Sequence, residues 1–144
     1  SPIHSLARIL NPLGAHCGLQ SIFHPGYQSV HREASGLLGD NVIVVKGDGG
    51  EIEINPDTLS HLYGTTDGQS WDEEWPALSV QRHVKPATLE PEHLKALWRG
   101  DVEDSYPQLA LIATMALALR GLGHPRQQAF ELAQQYWDAR DKSI

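Results

Sequence analysis

The period of apolar and polar positions changes several times along the chain, and each change marks an element. Ile3, Leu6, Ala7 and Leu10 fall on one helical face behind a Ser1-Pro2 start, where serine can cap free N–H groups and proline gives up a donor that has no partner anyway. Asn11, Pro12 and Gly14 stop that helix. Leu19 to Phe23 then reads as a short buried strand ending at His24, Pro25 and Gly26. From Tyr27 to Leu38 the spacing is helical again, with Val30, Ala34, Leu37 and Leu38 on the apolar side and Gly39 as the stop. Val42 to Val45 is an uninterrupted β-branched run, the pattern of a strand buried on both faces. Strand, helix and strand joined by short links predict a βαβ unit with parallel strands and a right-handed crossover.

Beyond that unit the pattern weakens. Lys46 to Glu51 is a glycine-rich turn, Ile52, Glu53 and Ile54 alternate, and Asn55-Pro56-Asp57 turns again. Gly64 to Pro86 reads as polar and irregular, with one strand expected near Leu78 to Val84. Three helices are expected to finish the chain: Pro91 to Trp98, one capped by Asp104 and running to Arg120, and Pro125 to Asp141. From Leu109 to Leu119 the middle helix has almost no polar face, so it must be enclosed. That run falls well below the roughly 20 residues that span a bilayer. In the last helix Ala129, Phe130, Ala133, Tyr136 and Trp137 make one apolar stripe.

A length of 144 residues suits one domain with its own core and is too short for two. The formal charge is -7, which argues against a free-standing DNA-coating protein. The acids concentrate between Asp48 and Asp104, which hold 13 of the 18 with only four bases. A single cysteine, Cys17, excludes an internal disulfide and a multi-cysteine zinc site, and a reducing cytoplasm is the expected compartment. No basic, apolar and small-residue leader pattern opens the chain. With no initiator Met before Ser1-Pro2, the chain is expected to begin inside a longer polypeptide.

Ligands of open α/β sheets bind outside the carboxyl ends of the parallel strands. Here those ends are His24-Pro25-Gly26 and the stretch from Lys46 to Glu53. In the second, Gly47, Gly49 and Gly50 permit close backbone approach, while Asp48, Glu51 and Glu53 could hold a hard cation such as Mg2+. The same spacing also describes a surface turn with solvated acids. It is not a Walker loop, because no Gly-Lys-Ser or Gly-Lys-Thr follows. None of the eight histidines has the spacing of a zinc protease. His24 reads as a structural histidine bonded to backbone or as part of a site. Cys17 reads as a small buried residue rather than a nucleophile. Trp71, Trp75 and Trp98 read as packing rather than as nucleobase platforms, since Asp72, Glu73 and Glu74 would repel phosphates.

The run from Ser1 to Pro12 resembles the segment of the anthranilate phosphoribosyltransferase family, glycosyl transferase family 3, that ends in Asn-Pro. The strand before His24-Pro25, the helix ending Leu37-Leu38-Gly39, the strand from Val42, and the helices after Trp98-Arg99-Gly100 and Asp104 resemble the family's elements in order. Lys46 to Glu51 sits where the family has its metal-binding Gly-x-Gly-Leu-Asp-Glu turn. His4 stands in the place of the family's Asn, and Ala7-Arg8 in that of its Gly-Pro. The resemblance covers essentially the whole chain and only the C-terminal half of such a protein. It implies the C-terminal part of a phosphoribosyltransferase-type α/β domain, with the N-terminal helical domain and the donor-gripping loop lying upstream. The implied function is phosphoribosyl or glycosyl transfer from a phosphoribosyl pyrophosphate-type donor to an unknown acceptor, by a homodimer when full length and not by these residues alone. The implied substrate-binding residues are His4, His24, Lys46, Gly47, Asp48 and Gly49. Glu51, Asp48 and Glu53 are the implied Mg2+ ligands. Some divergent glycosyl transferase relatives bind nucleic acid, so a non-catalytic binder that keeps the fold, with its basic groove upstream, is the alternative.

Overall fold

The computed structural model describes residues 2–47, 51–80, 82, 83 and 90–143. The fold is α/β, with a four-stranded sheet in the order β1-β2-β3-β4. Helix α1 (Pro2–Ile9) precedes β1 (Gly18–Ile22), and a 3-10 turn at Pro25–Tyr27 leads into α2 (Gln28–Leu37). Strand β2 (Val42–Lys46) pairs parallel with β1, as the βαβ pattern predicts. The sheet then continues antiparallel through β3 (Ser60–Thr66) and β4 (Gln69–Trp75). Helices α3 (Pro91–Arg99), α4 (Ser105–Gly121) and α5 (Arg126–Asp138) close the chain. Among the described residues no helix is long and apolar enough to cross a membrane.

The hairpin corrects the expectation of an irregular stretch from Gly64 to Pro86. Asp67-Gly68 joins the two strands, both residues with positive φ, the conformation that a two-residue hairpin turn with the twist of its strands requires. Among the described residues no strand forms between Leu78 and Val84 either, Gln81 and Val84 themselves lying outside the described residues; the main-chain N–H groups of Leu78 and Ser79 donate to the Pro56 carbonyl at 2.8 and 3.0 Å, and that of His83 donates to the Asp57 carboxylate. The Asn55-Pro56-Asp57 turn thus holds this segment as a loop.

The main core lies on one side of the sheet. Ile43, Val45, Leu62 and Trp75 meet Leu97 of α3, Ile112, Ala113, Ala116 and Leu117 of α4, and Ala129, Ala133 and Trp137 of α5. Four fully buried alanines, two on α4 and two on α5, keep the helix pair close. Near the free end of the hairpin, Gly64 has Trp71 opposite it in register. The Trp71 indole lies across Gly64 and under the Arg120 guanidinium, 4.4 Å from the ring centroid. Arg120 also donates to Glu73 at 2.9 Å, and Trp75 donates to the same carboxylate at 2.9 Å. Trp71, Trp75 and Trp98 are therefore packing residues.

The other side is different. Ile22, Val42 and Val44 make a small apolar patch with Tyr63, but α2 covers it with Gln28, His31 and Ser35. Val30, Leu37 and Leu38, expected on the buried side, are exposed, and so are Ile3 and Leu6 of α1 and Leu10 just after it. The reason lies in β1: Gln20 points at α2, donates to Ser35 Oγ at 3.0 Å and accepts from His31 Nδ1 at 3.0 Å. A buried amide must be hydrogen-bonded, so the helix presents its polar face to it. Helix α4 is enclosed by the sheet and by α5, while Leu111, Met115 and Ala118 border an open groove.

A methyl group at Gly64 would lie 2.6 Å from Trp71 Cδ2, so Gly64→Ala must displace an indole held by Arg120 and by Thr66. We expect a loss of about 1–3 kcal/mol in urea unfolding. An unchanged midpoint would refute the packing described.

Candidate functional site

Parallel pairing of β1 with β2 brings two strand ends side by side. Beyond Ile22 come exposed Phe23 and His24; beyond Val45 come exposed Lys46 and buried Gly47. The Gly47 N–H donates to the Ile22 carbonyl at 3.3 Å, which extends the ladder by one step. A side chain at Gly47 has no room, since its Cβ would fall 2.8 Å from Ser21 Cβ and closer still to Ser21 Oγ and the Glu51 carbonyl. The Glu51 carbonyl therefore lies against Gly47 at the end of β2. Beside Gly47 the Ser21 hydroxyl is buried without a hydrogen-bond partner among the described residues. Neither feature has a sequence signal beyond the glycine itself.

Of the residues singled out from the sequence, Lys46, Gly47, Glu51 and His24 share this end of the sheet. The His24 ring is exposed, with edge-on contacts to Phe23 at 5.0 Å and Tyr27 at 6.4 Å, so it belongs to a surface aromatic cluster. Asp48 and Gly49 lie outside the described residues, as does the side chain of His4. Ile52 packs against the core and Ile54 lies within it, which turns Glu51 and Glu53 outward. Glu53 borders the groove along α4. Among the described residues no group of three His, Cys, Asp or Glu side chains could hold a metal ion.

Two further groups were not marked by spacing. Arg8 of α1 donates to the Ser21 carbonyl at 2.7 Å, on the outer edge of β1. His31 lies close enough to feel the same charge: burial first, and then Arg8, hold its imidazole below the usual 6.5. Cys17 is half-buried against Gly121, and burial raises its thiol above the usual range despite a backbone hydrogen bond involving Ile43. A thiol kept protonated is a poor nucleophile.

Three outcomes follow from this geometry. Because the unfolded chain binds more protons than the folded one below the ordinary histidine value, stability falls as pH drops from about 7 toward 5. His31→Gln should flatten that slope in urea melts; an identical slope would show that other groups cause it. Gly47→Ala should destabilise the fold by about 1–3 kcal/mol. Ser21→Ala, which removes a buried hydroxyl with no partner among the described residues, should be neutral or stabilising by up to about 1 kcal/mol. A destabilised Ser21→Ala would mean that the hydroxyl has a partner. No protein-family model and no curated protein matches the chain, so its own residues carry the functional reading.

Proposed function

We propose that the chain is the C-terminal part of a phosphoribosyltransferase-type α/β domain, and that the longer polypeptide transfers a phosphoribosyl group from a phosphoribosyl pyrophosphate-type donor to an acceptor. The observation that supports this most is the close approach of Ser21 and the Glu51 carbonyl to Gly47 at the carboxyl end of the parallel pair β1 and β2. Such an end of a parallel sheet is where α/β proteins bind ligands.

In this reading Lys46, exposed at the strand end, meets a donor phosphate, with His24 and Gly47 beside it. Glu51, with Asp48, holds Mg2+. That ion takes one or two carboxylates together with substrate phosphates and water, so a carboxylate without a dense cluster around it suits a cation that arrives on pyrophosphate. Bound there, Mg2+ supplies positive charge that offsets the negative charge of the departing pyrophosphate. Lys46 adds a second cation at the same end of the sheet, and the acceptor provides the nucleophile.

The test is calorimetry of the longer polypeptide with phosphoribosyl pyrophosphate. We expect Mg2+-dependent binding that Glu51→Gln weakens about tenfold, equivalent to about 1.4 kcal/mol. The isolated 144 residues should catalyse no transfer. Donor affinity unaffected by Mg2+ or by Glu51→Gln would overturn the assignment.

A further inference from the structure

Glu53 takes no part in the donor site proposed above, yet the fold fixes its place. The Ile54 N–H donates to the Thr114 hydroxyl at 3.1 Å, and that hydroxyl donates to the Ala110 carbonyl at 2.7 Å, so residues 52–54 are held against α4. With Ile52 packed on the core and Ile54 inside it, Glu53 stands exposed at the border of the groove along α4. That groove measures about 680 Å³ and has Leu19, Leu94, Trp98, Leu111 and Met115 among its walls. Glu53 is the one charged residue among the described residues that line it.

The size is that of a site for one small organic molecule; such sites run from about 300 to 1,000 Å³, apolar for the most part with a few placed polar groups. An extended peptide fits these walls badly, because each of its residues brings a main-chain N–H and C=O that need partners once buried. Two polar groups of the lining are already engaged within the fold: the Thr114 hydroxyl as above, and the Trp98 indole N–H in a bond to the Asp141 carbonyl at 2.7 Å. A fatty carboxylate is also disfavoured. It would face Glu53, and Arg140, which stacks on the Trp137 wall with its guanidinium 3.7 Å from the ring centroid, already donates to the carbonyls of Leu97, Trp98 and Trp137. An ammonium group at the end of a hydrocarbon meets both conditions, apolar walls for the chain and a carboxylate for the charge.

We propose that the α4 groove binds a small apolar amine, its hydrocarbon against Trp98, Leu111 and Met115 and its ammonium group on the Glu53 carboxylate. The inference does not depend on phosphoribosyl transfer. That reading gives Mg2+ to Glu51 and Asp48, and the test below needs neither the donor nor Mg2+.

Octylamine is the probe, with octanol and octanoate as chains of the same length and different charge. Met115 is the only methionine of the chain, so its isotope-labelled methyl group gives a single resonance inside the groove. We expect octylamine to shift that resonance saturably and to bind severalfold more tightly than octanol, with octanoate the weakest of the three. Glu53→Gln should bring octylamine down to the level of octanol, and Glu53→Lys should turn the preference toward octanoate. Ala118→Trp, which fills the groove from an exposed position of α4, should weaken all three, with circular dichroism and melting showing that the variants fold. Equal binding of the three ligands, or octylamine binding unchanged by Glu53→Gln or by Ala118→Trp, would overturn the proposal. An equal loss with Glu33→Gln, at an exposed position of α2, would trace the binding to the acidic charge of the whole chain and refute it. No shift at millimolar octylamine would refute it too.

Discussion

Val42 to Val45 are almost entirely removed from water on both faces of β2, and that double burial obliges the chain to build a layer on each side of the sheet. The two layers meet the obligation by different means. On the side of Ile43 and Val45, α4 and α5 supply alanines, leucine and tryptophan, and the driving force is removal of apolar surface from water. On the side of Val42 and Val44, α2 supplies Gln28, His31 and Ser35, and what fixes the helix is hydrogen bonding to Gln20. The parallel pairing that creates the candidate site depends on both layers, because its inner strand β2 is buried on both faces.

The central βαβ unit and the three closing helices were legible because their signals are local: a β-branched run, glycine and proline stops, an apolar helix without a polar face. What misled was the rule that the apolar side of a helix is the buried side. In α2 it is inverted, and the cause lies at Gln20, one strand away, where no reading of residues 27–38 could find it. The hairpin is a different case. Asp67-Gly68 is a strong two-residue turn signal, flanked by Leu62 and Tyr63 before it and Trp71 and Trp75 after it. The acids interleaved with those tryptophans disguised the strands. They are tolerated because Glu73 is paired with Arg120 and Asp72 with Arg32 at the two faces of β4.

At the candidate site, the glycines after β2 signalled a close approach, and Gly47 makes one, against Ser21 and the Glu51 carbonyl. The burial of the Ser21 hydroxyl and the Arg8 contact were beyond reach because both arise from chain segments meeting in space. Sequence spacing placed Glu51 and Glu53 together as acids. Packing of Ile52 and Ile54 keeps both at the surface, and Glu53 borders the groove along α4.

The unlike layers respond differently to temperature. Burial of apolar surface carries a large heat capacity, so the α4 and α5 layer loses strength on cooling as well as on heating, whereas a layer fastened by hydrogen bonds between polar groups contributes little or with opposite sign. The sheet is thus clad in two materials with different thermal coefficients. Cooling weakens the apolar hold of the α4 side more than the hydrogen bonds that fasten α2 to β1 through Gln20, so the curvature of stability with temperature comes mostly from the larger apolar face.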